Sequence, residues 1–265
     1  MASHFSCIGM SVKTEYEFLK LLKRLSKLGE KISCEQGYYS KWHSKTGAEL
    51  WIQLNHANTL LGVTPFYNGS SEFSAGIIQK IEKKIDNVLE GTFYAWANPK
   101  DQKPDNGDYP FVFECVNFAE IKKLDLPCIK KVKLTAFTHG IDFYESPDDY
   151  HSKQEKTLRL GTQFFSPSGT FKPNNNSDKP DNNSDKTFEM TSEAVFTGII
   201  LDYKKHTNEL TNKDYYWIKV DTYGGIIDTV VSPEFIKNSL KINGVIAGVF
   251  YLCGKIITEC NISVK

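Results

Sequence analysis

Apolar positions at three- and four-residue steps mark one helix near the start of the chain. Phe18, Leu21, Leu22, Leu25 and Leu28 form a single stripe, with Lys20, Lys23, Arg24 and Lys27 on the solvated face. Thr14-Glu15-Tyr16-Glu17 in front of it is a capping box, and Gly29 behind it is expected to supply a left-handed C-terminal cap. Elsewhere the period is two. Phe5 to Val12 is predicted as a strand. Along Gly47 to Leu54, residues Glu49, Trp51 and Gln53 alternate with Leu50, Ile52 and Leu54, so polar and apolar sets take opposite faces. Phe93 to Ala97, Phe111 to Phe118, Val132 to Phe137 and Leu158 to Phe165 are further strands rich in β-branched and aromatic residues, and 99–110 is a turn-rich loop.

Between Lys172 and Lys186 the pattern stops. KPNNNSDKPDNNSDK holds no apolar side chain, so burial cannot repay the entropy of ordering it. The expected organisation is therefore a domain over 1–171, a polar linker over 172–187 and a second domain over 188–265. The second domain reads as strands over 195–201, 215–222, 226–231, 244–252 and 255–262, with a short helix over 233–240. Gly198 and Gly248 stand where such strands would bend. The fold class is α+β, mainly β.

Two resemblances follow. SHFSCIGMSV, the capped helix and the strand carrying GAELWIQ follow a strand–helix–strand order over about residues 3–70. This resembles the vicinal oxygen chelate superfamily, with its glyoxalase-like and bleomycin-resistance-like members and its βαβββ modules. The resemblance implies one divalent metal held by a first-strand residue and a late-strand carboxylate, here His4 and Glu49. A second module would supply a second ligand pair. Residues 92–170 offer Glu114 but no matching histidine in that strand, and a homodimer is the other source. After the linker, five strands in about 70 residues resemble a small oligonucleotide/oligosaccharide-binding (OB) barrel.

Charge and composition narrow the chemistry. The formal net charge is zero, and residues 194–265 hold eight lysines against seven acidic residues, so steering of polyphosphate is weak and nucleic acid is not the expected partner. The barrel's aromatics, Tyr203, Tyr215, Tyr216, Trp217, Tyr223, Phe250 and Tyr251, are expected to pack rather than to stack bases. No run approaches the roughly 20 apolar residues of a membrane span, and Met1 to Phe5 lacks the basic and apolar regions of a signal peptide. Six cysteines without CxxC spacing are expected to be reduced, buried thiols, which fits a cytoplasmic protein. P-loop, Rossmann and nucleophile-elbow motifs are absent.

The functional expectation is non-catalytic recognition, with a small polar ligand in an N-terminal cleft and a protein partner on the barrel. Aromatic walls with a carboxylate and an amide suit such a cleft, and Tyr38, Trp42, Glu49, Trp51 and Gln53 are its predicted lining. No cofactor is expected. The alternative is a metal-dependent lyase, isomerase or dioxygenase using His4 and Glu49, and the weaker alternative is single-strand nucleic-acid binding by the barrel. His139, Asp142, Glu145, Asp148, Asp149 and His151 form an acidic, imidazole-bearing stretch that reads as a solvated loop and as the reserve of further metal ligands.

Overall fold

A computed structural model describes residues 4–12, 14–81, 87–121, 123–155, 159–167, 190–237 and 239–258. The fold is mainly β, with two α-helices among the described residues. No helix among these residues is long and apolar enough to cross a membrane.

The chain opens with a 3-10 turn at Ser6–Ile8, not with the strand expected over 5–12. Its hydrogen bonds are local: Ile8 N–H donates to Phe5 O at 3.2 Å and Gly9 N–H to Ser6 O at 3.1 Å. Gly9 then turns the chain at φ 72°, a conformation open to glycine. Helix α1 (Glu15–Leu25) is capped as expected, its Thr14 hydroxyl accepting from Glu17 N–H at 3.2 Å. Leu22 and Leu25 bury its inner stripe. Gly29 is not a left-handed cap, since it is not among the positive-φ glycines. It is required for space instead, because a Cβ there would collide with the Ser40 hydroxyl.

Four strands follow as an antiparallel meander: β1 (Glu30–Cys34), β2 (Gly37–His43), β3 (Ala48–Leu54) and β4 (Leu60–Tyr67). Helix first, then four strands, is the observed order in place of βαβββ. Directly opposed residues of antiparallel strands share a face. The register pairs Lys41 and Thr64 with Trp51, and Tyr39 with Gln53, while Tyr38, Ser40 and Trp42 oppose Leu54, Ile52 and Leu50. β3 is buried along its whole length, one face toward the helix layer and the other toward the larger sheet.

That larger sheet has nine strands: β5 (Phe73–Ile81), β6 (Thr92–Ala97), β7 (Pro110–Cys115), β8 (Cys128–Tyr144), β9 (Phe164–Pro167), β10 (Glu193–Asn208), β11 (Lys213–Thr222), β12 (Gly225–Val231) and β13 (Val245–Ile256). The second helix, α2 (Pro147–Lys153), follows β8. The pairings close two five-stranded rings. One runs β5-β6-β7-β13-β8 and back to β5. The other runs β10-β11-β12-β8-β13 and back to β10. β8 and β13 belong to both. Along one edge they pair with each other, Val132 to Tyr144 against Ile256 to Val245. Along the other edge each serves both rings in turn: β8 meets β5 at 128–132 and β12 at 135–137, and β13 meets β10 at 245–251 and β7 at 253–254.

Residues 73–144 and 193–256 thus follow the same order of elements. Each of these segments has three antiparallel strands, a 3-10 turn (Phe118–Glu120 or Pro233–Phe235) and a long strand donated to both rings. One apolar core, including Phe93, Phe113, Phe196, Ile218 and Phe250, fills both interiors.

The linker expected at 172–187 lies outside the described residues. The strand pairings cross its position. Only four strands lie within 190–258, with 244–252 and the start of 255–262 forming the single strand β13, so the second ring takes β8 from upstream as its fifth. The helix expected over 233–240 is only the 3-10 turn Pro233–Phe235. Of the cysteines, Cys7, Cys34, Cys115, Cys128 and Cys253 form no disulfide among the described residues, Cys34 and Cys128 are only partly buried, and Cys260 lies outside the described residues.

Candidate ligand-binding site

The predicted lining residues divide between two faces. Glu49, Trp51 and Gln53 point from β3 toward the rings and are 3%, 1% and 1% exposed. Their polar groups are already engaged. Trp51 Nε1–H donates to Glu49 Oε2 at 2.8 Å, Gln53 Nε2 donates to Thr64 Oγ1 at 3.1 Å, and Asn87 Nδ2 donates to Gln53 Oε1 at 2.5 Å. Thr64 passes the chain on to Glu114 Oε1 at 2.8 Å, and the Tyr251 hydroxyl donates to Glu114 Oε2 at 2.5 Å. Burial and the Glu114 carboxylate push the Tyr251 phenol far above its ordinary pKa. The ammonium groups of Lys255 and Lys41 stand 5.3 and 5.6 Å from the Trp51 ring, cation–π contacts that close over it. Tyr38 and Trp42 occupy the other face, where Tyr38 donates to Asn58 Oδ1 at 2.6 Å. The five residues therefore do not line one pocket. Alternation along β3 identified its two faces, but the register with β2 decides which neighbours share them.

His4 meets His139 instead of Glu49. Their Nε2 atoms are 2.6 Å apart, and the His4 ring stacks on Tyr251 with centroids at 4.4 Å. His139 is the extra residue of a β-bulge, since Thr138 pairs with Phe250 and Gly140 with Val249. Such bulges re-aim a side chain. His139 Nδ1 lies 3.5 Å from Glu193 Oε1. Burial first, then the neighbouring His139, lower the His4 imidazole to about 4. Two ligands of one tetrahedral zinc at ~2.0–2.1 Å would stand roughly 3.3 Å apart, so the pair has the spacing of a hydrogen bond. No group of three or more His, Cys, Asp or Glu that could hold a metal occurs among the described residues.

The rest of the acidic stretch disperses. β8 continues to Tyr144, and the Ser146 hydroxyl caps α2 by accepting from Asp149 N–H at 3.1 Å. Asp149 pairs with Lys153, and Glu145 with Lys241. Ser146-Pro147-Asp148-Asp149 carried that signal: a capping serine, proline at the first helical position and acids in the first turn.

An open cavity of about 860 Å³ lies where the N-terminal segment and the start of α1 approach the second ring. Phe5, Met10 and Phe18 form its apolar part, with Phe5 edge-on to Phe18 at 4.8 Å. The β10–β11 turn brings Asn212, Lys213 and Asp214, and the 3-10 turn after β12 brings Pro233 and Glu234, with Ser232 beside them. Asp214 is neutralised by Lys205 at 2.7 Å and accepts from Thr207. Glu15, Lys213 and Glu234 have no ion pair among the described residues. Ser232 is 6% exposed. Size, an apolar wall and a few convergent polar groups are what a small-molecule site needs. The sequence does not disclose this place, because it is assembled from three distant segments and 5–12 reads as a strand. Phe18 alone carried a signal, as a member of the helix stripe.

No protein-family model, curated protein or solved structure matches the chain.

Proposed function

We propose that the chain is a non-catalytic binding protein that takes a small organic ligand in the cavity between its N-terminal segment and the second ring. The carrying observation is the cavity itself, with an apolar wall from one chain segment and polar side chains from two others. The OB reading supports the location. We read each five-stranded ring as an OB-type barrel, a class that binds ligands on strands two and three and on the loop between strands one and two. In the second ring these are β11, β12 and the turn holding Lys213. Much of that face is closed by the chain itself, since Tyr215 and Val230 are fully buried beneath the N-terminal segment and the four-stranded sheet. A ligand of cavity size is accommodated there, whereas a continuous single strand would have to displace the cover. For a protein partner, the second ring offers the cross-strand pair Val195 and Val249, each 39% exposed.

The test is ligand-observed NMR with small aromatic compounds against the intact chain and Phe18→Ala. Binding lost in that variant at unchanged fold supports the proposal. An intact chain that binds none of them at millimolar concentration refutes it.

A second reading, metal-dependent glyoxalase-like chemistry, draws on the convergence of the His4 and His139 imidazoles. Stoichiometric metal in purified protein, lost in His4→Ala, would put it first.

A further inference from the structure

We infer that the outward face of α1 docks on an anionic lipid surface, lying along it without crossing it. This is independent of the cavity reading, which draws on Phe18 from the inner stripe of the same helix.

Lys20, Lys23, Arg24 and Lys27 are all exposed, and none has an ion pair among the described residues. They stand at three- and four-residue steps, so each has two like-charged neighbours, an arrangement that opposes the helix. A solvated helix face ordinarily interleaves acids at these spacings and gains from the pairs. Here residues 18–29 contain no acid, although the whole chain holds 32 acidic against 32 basic residues. The next acid, Glu30, is bound to Lys41 at 3.0 Å. The helix dipole favours cations in the last turn, which accounts for Lys23 and Arg24 but not for Lys20. The four cations and Leu28 rim a shallow depression of about 460 Å³ with no acidic group in its lining. The complement of this face is an anion from outside.

The apolar neighbours select the kind of anion. Tyr16 and Leu28 are 74% and 66% exposed, more than any other large apolar side chain among the described residues, and Leu19 is 46% exposed. Tyr16 stands one turn before Lys20 and Leu28 directly after Lys27, so they bracket the cations. A nucleic-acid backbone would answer the charges and leave these side chains in water. A membrane interface answers both: lipid phosphates and carboxylates meet the cations, while leucine and the tyrosine ring enter the boundary between headgroups and acyl chains.

The experiment is co-sedimentation of the intact chain with phosphatidylcholine vesicles, with and without about one-third phosphatidylserine. The chain should pellet with the anionic vesicles alone, and raising the salt from about 0.1 to 1 M, which shortens the screening length from about 10 to 3 Å, should release it. Lys20→Gln with Lys23→Gln should weaken binding about 25-fold, at about fivefold per cation. Its Tm should not fall, because the groups removed repel each other. Tyr16→Gln with Leu28→Gln should weaken vesicle binding several-fold and leave any binding of duplex DNA unchanged. The inference is overturned if anionic vesicles are not bound, if neutral vesicles are bound equally, or if the lysine variant binds as the parent does. Duplex DNA bound more tightly than the anionic vesicles would assign the face to nucleic acid and overturn it likewise.

Discussion

Two places in this molecule gather polar side chains from distant parts of the sequence, and they differ in completeness. In the seam between the four-stranded sheet and the rings, Asn87, Gln53, Thr64, Glu114 and Tyr251 hand hydrogen bonds along an unbroken chain. In the cavity by the N-terminal segment, Glu15, Lys213 and Glu234 are exposed and form no ion pair among the described residues. Buried polar groups satisfied from within specify how two layers fit, whereas exposed side chains lining a cavity are available to something from outside. The seam is therefore expected to govern stability and the cavity to govern binding.

The largest test of that contrast is Trp51→Ala. It removes a buried aromatic ring and strips Glu49 of its donor, and should cost about 3–5 kcal/mol in denaturant unfolding. A loss below half a kcal/mol would mean that the seam does not hold the layers together. Glu114→Gln is milder, because the amide keeps one acceptor for two donors. About 1–3 kcal/mol is expected, since hydrogen bonds to a charged group are weakened.

The His4 imidazole gives a pH signature. The unfolded chain takes up its proton near 6.5, while the folded chain resists until about 4. The unfolded state therefore binds more protons between those values. Stability from this group is full above pH 6.5 and is lost progressively as the pH falls to about 4. His4→Phe should flatten that part of the curve, and an unchanged slope would show that His4 titrates freely. Smallest of all, Glu234→Gln should change stability by less than about half a kcal/mol, because the carboxylate holds nothing in the fold. Its measurable effect is on ligand affinity, and a large drop in Tm would place Glu234 with the seam rather than the cavity.

What could be read in advance was local. The Thr14 cap and the Leu22–Leu25 stripe specify α1 by hydrogen bonding and periodicity within a few residues. The alternation of β3 was likewise legible. β1 and β2 were not, since EKISC and GYYSKWH mix charge with aromatics and lack a clear apolar period. The double role of β8 has no local signature, because a strand's side chains report its faces while its two edges are set by whichever backbones arrive. His139 belongs to the same class: a bulge is visible only once β13 is laid beside β8. Gly248 was expected at a bend, but it is needed because the Gly140 carbonyl crosses where its side chain would be.

The shared ribbon also governs the order in which the molecule can come into being. A chain emerging from the ribosome could assemble α1, the meander and β5 to β8 early, yet the first ring would stay open, because its closing strand is β13, the final strand of the described chain. Roughly the first 240 residues would wait with an unpaired β7 edge and an unsealed aromatic core, a state prone to aggregation until synthesis reaches 245–256. Both rings should then close in one late step, so the nascent chain passes from having no closed ring to having two.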